Sequence, residues 1–297
     1  NDFGIATLLR GGRVVIIDGY QPDEIIKTIN KYSVHYLTVV PGMIEDFITQ
    51  LKQSNIKPKP IGLIGAMADL VPRSLLQEIT TLLNAPYFNT FGSTETGNPP
   101  ASGNLIPIGT SPKVLSKKQN NFCEIRLVDL DDNDVKMGEP GELAIKGPSL
   151  FSGYWANEQA NAEAFRNGWF HMGDVFKQTP DGLLHFVDRV KYMIKSGGEN
   201  IYPAEIEQHV MADSRIIDVA VVRKPDQRWG EVPVAFIVSK SNKMSGADVI
   251  DLCRDRIATY KLPKEVHFIQ NEEMPRSTSG KIQRHILEKR LINAAFR

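Results

Sequence analysis

Several stretches of this chain hold residue types that could do chemistry. Asn89-Thr90-Phe91-Gly92-Ser93-Thr94-Glu95-Thr96 sets hydroxyls beside a carboxylate in a loop that contains glycine. The Thr94 hydroxyl can donate to a phosphate oxygen while a Glu95 oxygen takes a hard cation such as Mg²⁺. The same residues also make an ordinary Ser/Thr-rich loop with Glu95 in solvent. Asp174 follows Gly168-Trp169-Phe170-His171-Met172-Gly173. An acidic residue there suits both hydroxyls of a ribose, and a turn aspartate after glycine is the alternative. The run FVDRVKYMIKSGGENIYPAEIE, Phe186 to Glu207, places Asp188, Arg189, Lys191 and Lys195 just before Ser196-Gly197-Gly198. Two adjacent glycines let backbone approach a bulky group without a Cβ in the way. A tight turn joining a hairpin to a helix would use them equally well. Lys281 follows Gly280, but this is no P-loop, because Ile282 stands in place of Ser/Thr and no strand-to-helix glycine spacing precedes it.

Elements of alternating type must position these residues. Strands are expected at Gly12 to Asp18, Val34 to Val40, Ile61 to Gly65 and Pro86 to Thr90, with helices at Pro22 to Tyr32, Met43 to Leu51 and Pro72 to Leu83. That alternation means βαβ units and a mostly parallel sheet. Such sheets place ligands beyond the carboxyl ends of their strands, where Gly65-Ala66-Met67 and Asn89 to Thr96 fall. From about Pro107 the pattern changes. Strands at Phe122 to Asp129, Gly141 to Lys146 and Leu183 to Val187, separated by Asp/Asn/Gly/Pro turns, predict a small antiparallel barrel or sandwich. One short helix, Glu158 to Phe165, interrupts them. After Lys191, helices at 204–211, 246–257 and 282–292 and strands at 216–222, 232–239 and 265–269 predict a compact α+β unit. Ser245 with Asp248 has the form of a capping box. The expected domains are 1–106 (α/β), 107–190 (β-barrel) and 191–297 (α+β).

The bulk numbers narrow the class. Of 297 residues 41% are hydrophobic and 24% charged, enough to bury a core and to argue against disorder. Lys+Arg and Asp+Glu are both 35, and zero net charge argues against nucleic acid as the main partner. Cys123 and Cys253 stand far apart in apolar contexts and read as buried thiols in a reducing, cytoplasmic compartment. No apolar run approaches the roughly 20 residues that span a bilayer, and the first residues do not read as a basic-then-apolar leader.

Taken together and in order, these segments resemble the acyl-adenylate-forming superfamily of acyl-CoA synthetases, luciferases and peptide-synthetase adenylation domains. Asn89 to Glu95 resembles its Tyr-Gly-x-Thr-Glu motif, with Phe91 for the usual Tyr. The resemblance implies that Thr94 contacts the α-phosphate and Glu95 holds Mg²⁺, and that Asn89, Thr90, Phe91 and Gly92 belong to the ATP/AMP site, with Phe91 stacking on adenine. Gly65-Ala66-Met67 stands where the family has a Gly-Gly-Ala run lining the adenine and acyl pockets; a strand-end turn stays open. GELAIKGPSLFSGYW, Gly141 to Trp155, resembles a structural signature without a catalytic role. Gly168 to Asp174 is similar to Trp-Phe-x-Thr-Gly-Asp, with Met172 for Thr, and implies that Asp174 holds the ribose, helped by Arg189. His171 reads as a satisfied packing residue. Lys191 matches the position about which the C-terminal domain rotates, and Tyr192 replaces an Asp frequent there. Lys195, Gly197 and Gly198 would face coenzyme A after rotation, and Lys195 also reads as a solvated charge. Pro275 to Ile282 matches Pro-x-x-x-x-Gly-Lys-Ile, which implies that Lys281 stabilises charge on the carboxylate and α-phosphate as they meet.

The implied reaction is that of an AMP-forming acid–thiol ligase. A carboxylic acid, fatty or aromatic, reacts with ATP to give acyl-AMP, and CoA then takes the acyl group. The family's Ser/Thr/Gly-rich loop ending in Lys is expected upstream of this sequence. The chain is therefore expected to be the later portion of a longer ligase, poorly active or inactive alone. Ile194 to Pro203 resembles CoA ligases. An enzyme loading a carrier protein, and a non-catalytic nucleotide- or acyl-binding remnant, are the alternatives. Homo-oligomerisation stays open.

Overall fold

The computed structural model describes residues 2–39, 41–66, 68–69, 71–241, 243–277 and 281–295. Val40, Met67, Thr278, Ser279 and Gly280, which belong to segments discussed above, lie outside the described residues. The chain divides into two compact units: Asn1–Met172 with Lys177–Phe186, and Gly173–Phe176 with Val187–Arg297.

The first unit opens with helices α1 (Asp2–Leu9) and α2 (Pro22–Tyr32). Pro22 sits in the first turn of α2, where a missing N–H costs nothing, and Asp23 and Glu24 favour the positive helix end. Strands β1 (Tyr36–Thr38), β2 (Leu63–Ala66) and β3 (Tyr87–Phe91) alternate with helices α3 (Ile44–Gln53) and α4 (Arg73–Leu82). The three strands pair in parallel, Tyr36 opposite Leu63 and Ile64 opposite Tyr87. Helical spacing puts Ile26 and Ile29 of α2, Phe47 and Leu51 of α3 and Leu76 and Ile79 of α4 into one core against Ile64 and Tyr87.

The remaining strands prolong this sheet. They are β4 (Ala101–Ile106), β5 (Lys117–Gln119), β6 (Glu124–Val128), β7 (Pro140–Lys146), β8 (Phe165–Arg166), β9 (Trp169–Gln178) and β10 (Leu184–Arg189), with α5 (Glu158–Ala164) before β8. The order is β1-β2-β3-β4-β5-β10-β9-β7-β6, with β8 on β9. The expected barrel is therefore corrected: among the described residues these strands do not close. β4 pairs antiparallel with β3, and β5 lies between β4 and β10, so edges that could have closed a barrel join the two halves of one mixed sheet. The strand expected at Gly12 to Asp18 is a second correction. The segment is irregular, Ile16 is 89% exposed, and no described strand pairs with it. An apolar β-branched run becomes a strand only when a neighbour completes its ladder.

The second unit is built on another sheet. Strands β11 (Ile194–Ser196), β12 (Glu199–Ile201), β13 (Ile216–Asp226) and β14 (Gly230–Ser239) run in the order β12-β11-β14-β13, and β15 (Glu265–Phe268) pairs with β14 in parallel. Alternation along the strands loads both faces. Val219, Val221, Ala235 and Ile237 pack with α6 (Pro203–Val210) and α7 (Gly246–Cys253). Ala220, Val222, Val234 and Phe236 pack with Leu287 and Leu291 of α8 (Arg284–Ala295). The Ser245–Asp248 capping box at the start of α7 is present as expected. No helix among the described residues is long and apolar enough to cross a membrane.

Candidate functional site

In the first unit the candidate residues cluster at the carboxyl ends of β2 and β3. Ala66 lies opposite Asn89 in the ladder and Gly65 opposite Phe88. A Cβ on Gly65 would stand 2.7 Å from the Tyr36 hydroxyl and 3.2 Å from Phe88 O, so a side chain there would displace Tyr36. Asn89 is buried. Its Oδ1 accepts the Ala68 N–H at 2.8 Å, and its Nδ2 has no hydrogen-bond partner among the described residues. Thr90 is buried, and the ring of Phe91 is also buried, tilted against Phe186 with centroids 6.4 Å apart.

The loop after β3 turns sharply. Thr96 Oγ1 accepts from Ser93 N at 3.1 Å and donates to Ser93 O at 3.0 Å, while Ser93 Oγ is buried without a partner among the described residues. Gly92 and Thr94 are exposed and Glu95 is half-buried. The Tyr154 hydroxyl donates to Glu95 Oε1 at 3.1 Å, and Glu95 O accepts the Phe151 N–H at 2.9 Å. Tyr154 and Phe151 belong to the stretch read as a structural signature, and here they anchor the Glu95 loop. His171 is buried in an ionic cluster. Arg166 Nη2 donates to Glu142 Oε2 at 2.9 Å and to Asp132 Oδ1 at 3.2 Å, and His171 Nδ1 lies 2.6 Å from Arg166 Nη2 and 3.1 Å from Glu142 Oε2. Burial pushes the Glu142 carboxyl up, but His171 and Arg166 outweigh it and hold it below the usual range. His171 is thus satisfied by structure, as its aromatic neighbours suggested.

In the second unit Asp174 is buried, and Arg189 Nε lies 3.0 Å from its Oδ1. Lys191 is exposed. Its carbonyl accepts from Arg223 Nη2 at 3.1 Å, and its Nζ lies 4.9 Å from the Tyr192 ring centroid. Ser196 pairs with Glu199, so Gly197 and Gly198 form a two-residue hairpin loop. Their φ values are +59° and +87°, the pair of positive angles such a turn demands. The glycines do form a tight turn, but it closes a hairpin whose arms, β11 and β12, were missed from sequence, and does not join a hairpin to a helix. A Cβ on Gly197 would lie 2.8 Å from the Trp229 ring, whereas Gly198 faces open space. The Lys195 side chain is exposed, and its N–H donates to Glu231 Oε2 at 2.9 Å. Lys281 is exposed; its N–H donates to Ser277 Oγ at 3.2 Å and its carbonyl accepts from Ser277 N at 2.8 Å.

A family model for AMP-binding enzymes matches residues 3–155, and one for the AMP-binding enzyme C-terminal domain matches 205–281. The chain belongs to the AMP-binding enzyme family. This AMP-binding enzyme chain is 34% identical over 291 residues to the indoleacetate–CoA ligase of Aromatoleum aromaticum, covering 97% of the chain and 56% of that protein. It is 33% identical over 288 residues to the 2-succinylbenzoate–CoA ligase of Bacillus cytotoxicus, covering 96% of the chain and 58% of that protein. Among solved structures it is similar to the o-succinylbenzoate CoA synthetase of Bacillus subtilis in complex with the acyl-adenylate intermediate. There the TM-score is 0.76 at 29% identity, covering 96% of this chain and 57% of that one. The chain thus spans a little over half the length of the relatives it matches.

The residues of this AMP-binding enzyme fit a nucleotide and a magnesium ion. Asn89 Nδ2 and Ser93 Oγ are buried polar atoms without partners among the described residues. Glu95 is half-buried beside this loop, and Tyr154 donates to its Oε1. Among the described residues no group of three or more His, Cys, Asp or Glu could hold a metal. A single carboxylate matches the way Mg²⁺ is usually taken, with phosphates and waters supplying the remaining ligands. Sequence reasoning missed Tyr154, Trp229 and the buried pair of Lys117 and Asp69. An aromatic beside a Gly-rich signature offers a hint of the first, and nothing local signals the others.

Proposed function

We propose that the protein carrying this chain is an ATP-dependent, AMP-forming acid–thiol ligase acting on an aromatic or aryl-alkanoic acid. The observation that carries the proposal is Asn89. Its amide oxygen is committed to Ala68 and its buried Nδ2 has no partner among the described residues, in a chain of the AMP-binding enzyme family. The substrate class is supported by the two ligases at 34% and 33% identity, whose names carry indoleacetate and 2-succinylbenzoate.

A carboxylate oxygen of the acid attacks the α-phosphorus of ATP, the bond to the bridging oxygen breaks, and pyrophosphate leaves. Thr94 donates to the α-phosphate. Asp174, with Arg189 beside it, accepts from the ribose hydroxyls. Lys281 places its charge where the carboxylate and phosphate meet, which lowers the repulsion between two anions. Glu95 would hold Mg²⁺, which neutralises phosphate charge when bound. In the second step the CoA thiolate attacks the acyl carbon, the bond to the phosphate oxygen breaks, and AMP leaves. Splitting the transfer through a mixed anhydride replaces one hard step with two easier ones. The C-terminal domain turns about Lys191 between the steps, exchanging Lys281 for Lys195 and the Gly197–Gly198 turn. The domains 1–106, 107–190 and 191–297 are part of this reading. So is a cytoplasmic location, supported by two free cysteines, Cys123 and Cys253.

Carboxylate-dependent ATP–pyrophosphate exchange by the full-length protein tests the proposal. Exchange driven by indole-, phenyl- or benzoyl-type acids is expected. No exchange with any acid, from folded protein, would overturn it.

A further inference from the structure

Lys117 is a fully buried lysine, the only strand residue of its kind in the core of the first unit among the described residues. It lies on β5 between Gly103 of β4 and Leu184 of β10. Its Nζ pairs with Asp69 Oδ1, and the Asp69 side chain is 5% exposed. The second Asp69 oxygen has no partner, so Lys117 is the one hydrogen-bonding partner of that carboxylate among the described residues. Burial pulls the Lys117 ammonium toward deprotonation, and the charge of Asp69 works against it.

A pair buried this deeply is poor at stabilising a fold, since apolar residues of similar volume generally serve as well or better. Its place in the chain gives it another use. Asp69 directly follows Ala68, whose N–H holds Asn89 Oδ1 at 2.8 Å. That bond commits the Asn89 oxygen and leaves the buried Nδ2 as the end of the amide without a partner among the described residues. Arg73 Nη1 braces the same loop by donating to Ala68 O at 3.3 Å and to Val71 O at 3.2 Å, but these bonds hold carbonyls and leave the Ala68 N–H to be aimed by its neighbour.

We propose that Lys117 and Asp69 are positioning residues which, through the backbone of Ala68, orient the Asn89 amide so that its Nδ2 faces a nucleobase. The role toward the base rests on the proposed function, whereas the local step does not. Lys117 holds the carboxylate of Asp69, Asp69 fixes the loop, Ala68 commits the Asn89 oxygen, and a donor is left for a ring nitrogen of the base.

The test is amide hydrogen exchange at Ala68 with AMP binding measured in parallel, on full-length wild type, Asp69→Asn and the double variant Asp69→Leu/Lys117→Met. The double variant removes both charges and keeps the core filled. Ala68 protection is expected to fall about tenfold in both variants, the factor one hydrogen bond commands. The Ile64 amide, bonded to Pro86 O at 3.0 Å, is expected to keep its protection. AMP affinity is expected to fall by a similar factor. Unchanged Ala68 protection in both variants, or equal loss at Ala68 and Ile64, would overturn the proposal. Wild type that fails to bind AMP would sink the proposed function, and the exchange data would still decide the local step.

Discussion

Arg284 Nη2 lies 2.7 and 2.8 Å from the two carboxylate oxygens of Glu207, a contact that spans 77 positions of sequence. The pair is pinned to one residue of β13: Arg284 Nε donates to Val221 O at 3.3 Å, and Glu207 Oε1 accepts from Val221 N at 2.8 Å. The guanidinium also stands over the Tyr192 ring, 4.3 Å from its centroid. Glu207 lies on the helix that follows the Gly197–Gly198 hairpin, and Arg284 opens the helix that follows Lys281. One ion pair therefore ties together the helix after the Gly197–Gly198 hairpin, the helix after Lys281 and Tyr192 beside Lys191, the elements that carry the hinge, CoA-side and adenylation roles proposed above.

Removing one partner of this pair should be costly. Both side chains are only 14% exposed, and a lost partner leaves a poorly solvated charge. Arg284→Met is expected to destabilise the second unit by about 3 kcal/mol. Urea unfolding followed by a probe in that unit measures this, and an unchanged midpoint would show that the pair is dispensable.

The carboxyl of Asp188 is pushed up to about 6 from its ordinary 3.8, first by burial and then by Glu207, against the N–H groups of Ala204 and Arg189 and the charge of Arg284. The native state therefore keeps this proton to higher pH than the unfolded chain does. Its contribution to stability is complete below about pH 4 and is lost as pH rises through about 6, a change of about 3 kcal/mol at 1.36 kcal/mol per pH unit. Other carboxylates titrate in the opposite sense, so the informative quantity is the difference between wild type and Asp188→Asn. That difference should change between pH 4 and 6 and level off above; a flat difference would contradict the assignment.

The two glycines of the hairpin should respond unequally to alanine. Gly198→Ala meets open space and only the left-handed backbone penalty, roughly 1 kcal/mol. Gly197→Ala meets the same penalty and also drives its Cβ to 2.8 Å from the Trp229 ring. Thermal unfolding should rank Gly197→Ala well below Gly198→Ala. Adding Trp229→Ala should recover part of the loss, and equal effects at both glycines would argue that the ring yields freely.

Lys281→Ala is expected to slow pyrophosphate exchange by about 10² to 10³, as loss of a group aimed at developing charge does. The side chain is exposed and the local turn is held by backbone atoms and Ser277. Stability should therefore stay within about 0.5 kcal/mol. A rate loss accompanied by an equal loss of folded protein would remove the catalytic interpretation.

Much of the chain was legible because its signals are local. Pro22 with Asp23 and Glu24 marks the start of α2, the Ser245–Asp248 capping box opens α7, and the helical spacing of Ile26 and Ile29 names its own buried face. Residue type and order singled out Asn89 to Glu95 as a candidate loop, and the structure places it at the end of β3. What failed did so for want of a partner. Gly12 to Asp18 is apolar enough for a strand but pairs with none, whereas Lys117 to Gln119, polar throughout, is a strand because β4 and β10 flank it.

The sequence by itself determined the family, the alternation of helix and strand in both halves, and which residues carry hydroxyl, carboxylate or amine chemistry. These follow from side-chain periodicity, backbone restriction and functional groups, all carried within a few neighbouring residues. Only the tertiary structure decided that the antiparallel strands extend one open sheet, that Trp229 covers Gly197, and that Lys117, Asp69, Glu207 and Arg284 are withdrawn from water in pairs. Strand order and the burial of a charge depend on contacts between residues tens of positions apart, and a chain's local pattern does not record which distant group will be there to meet it.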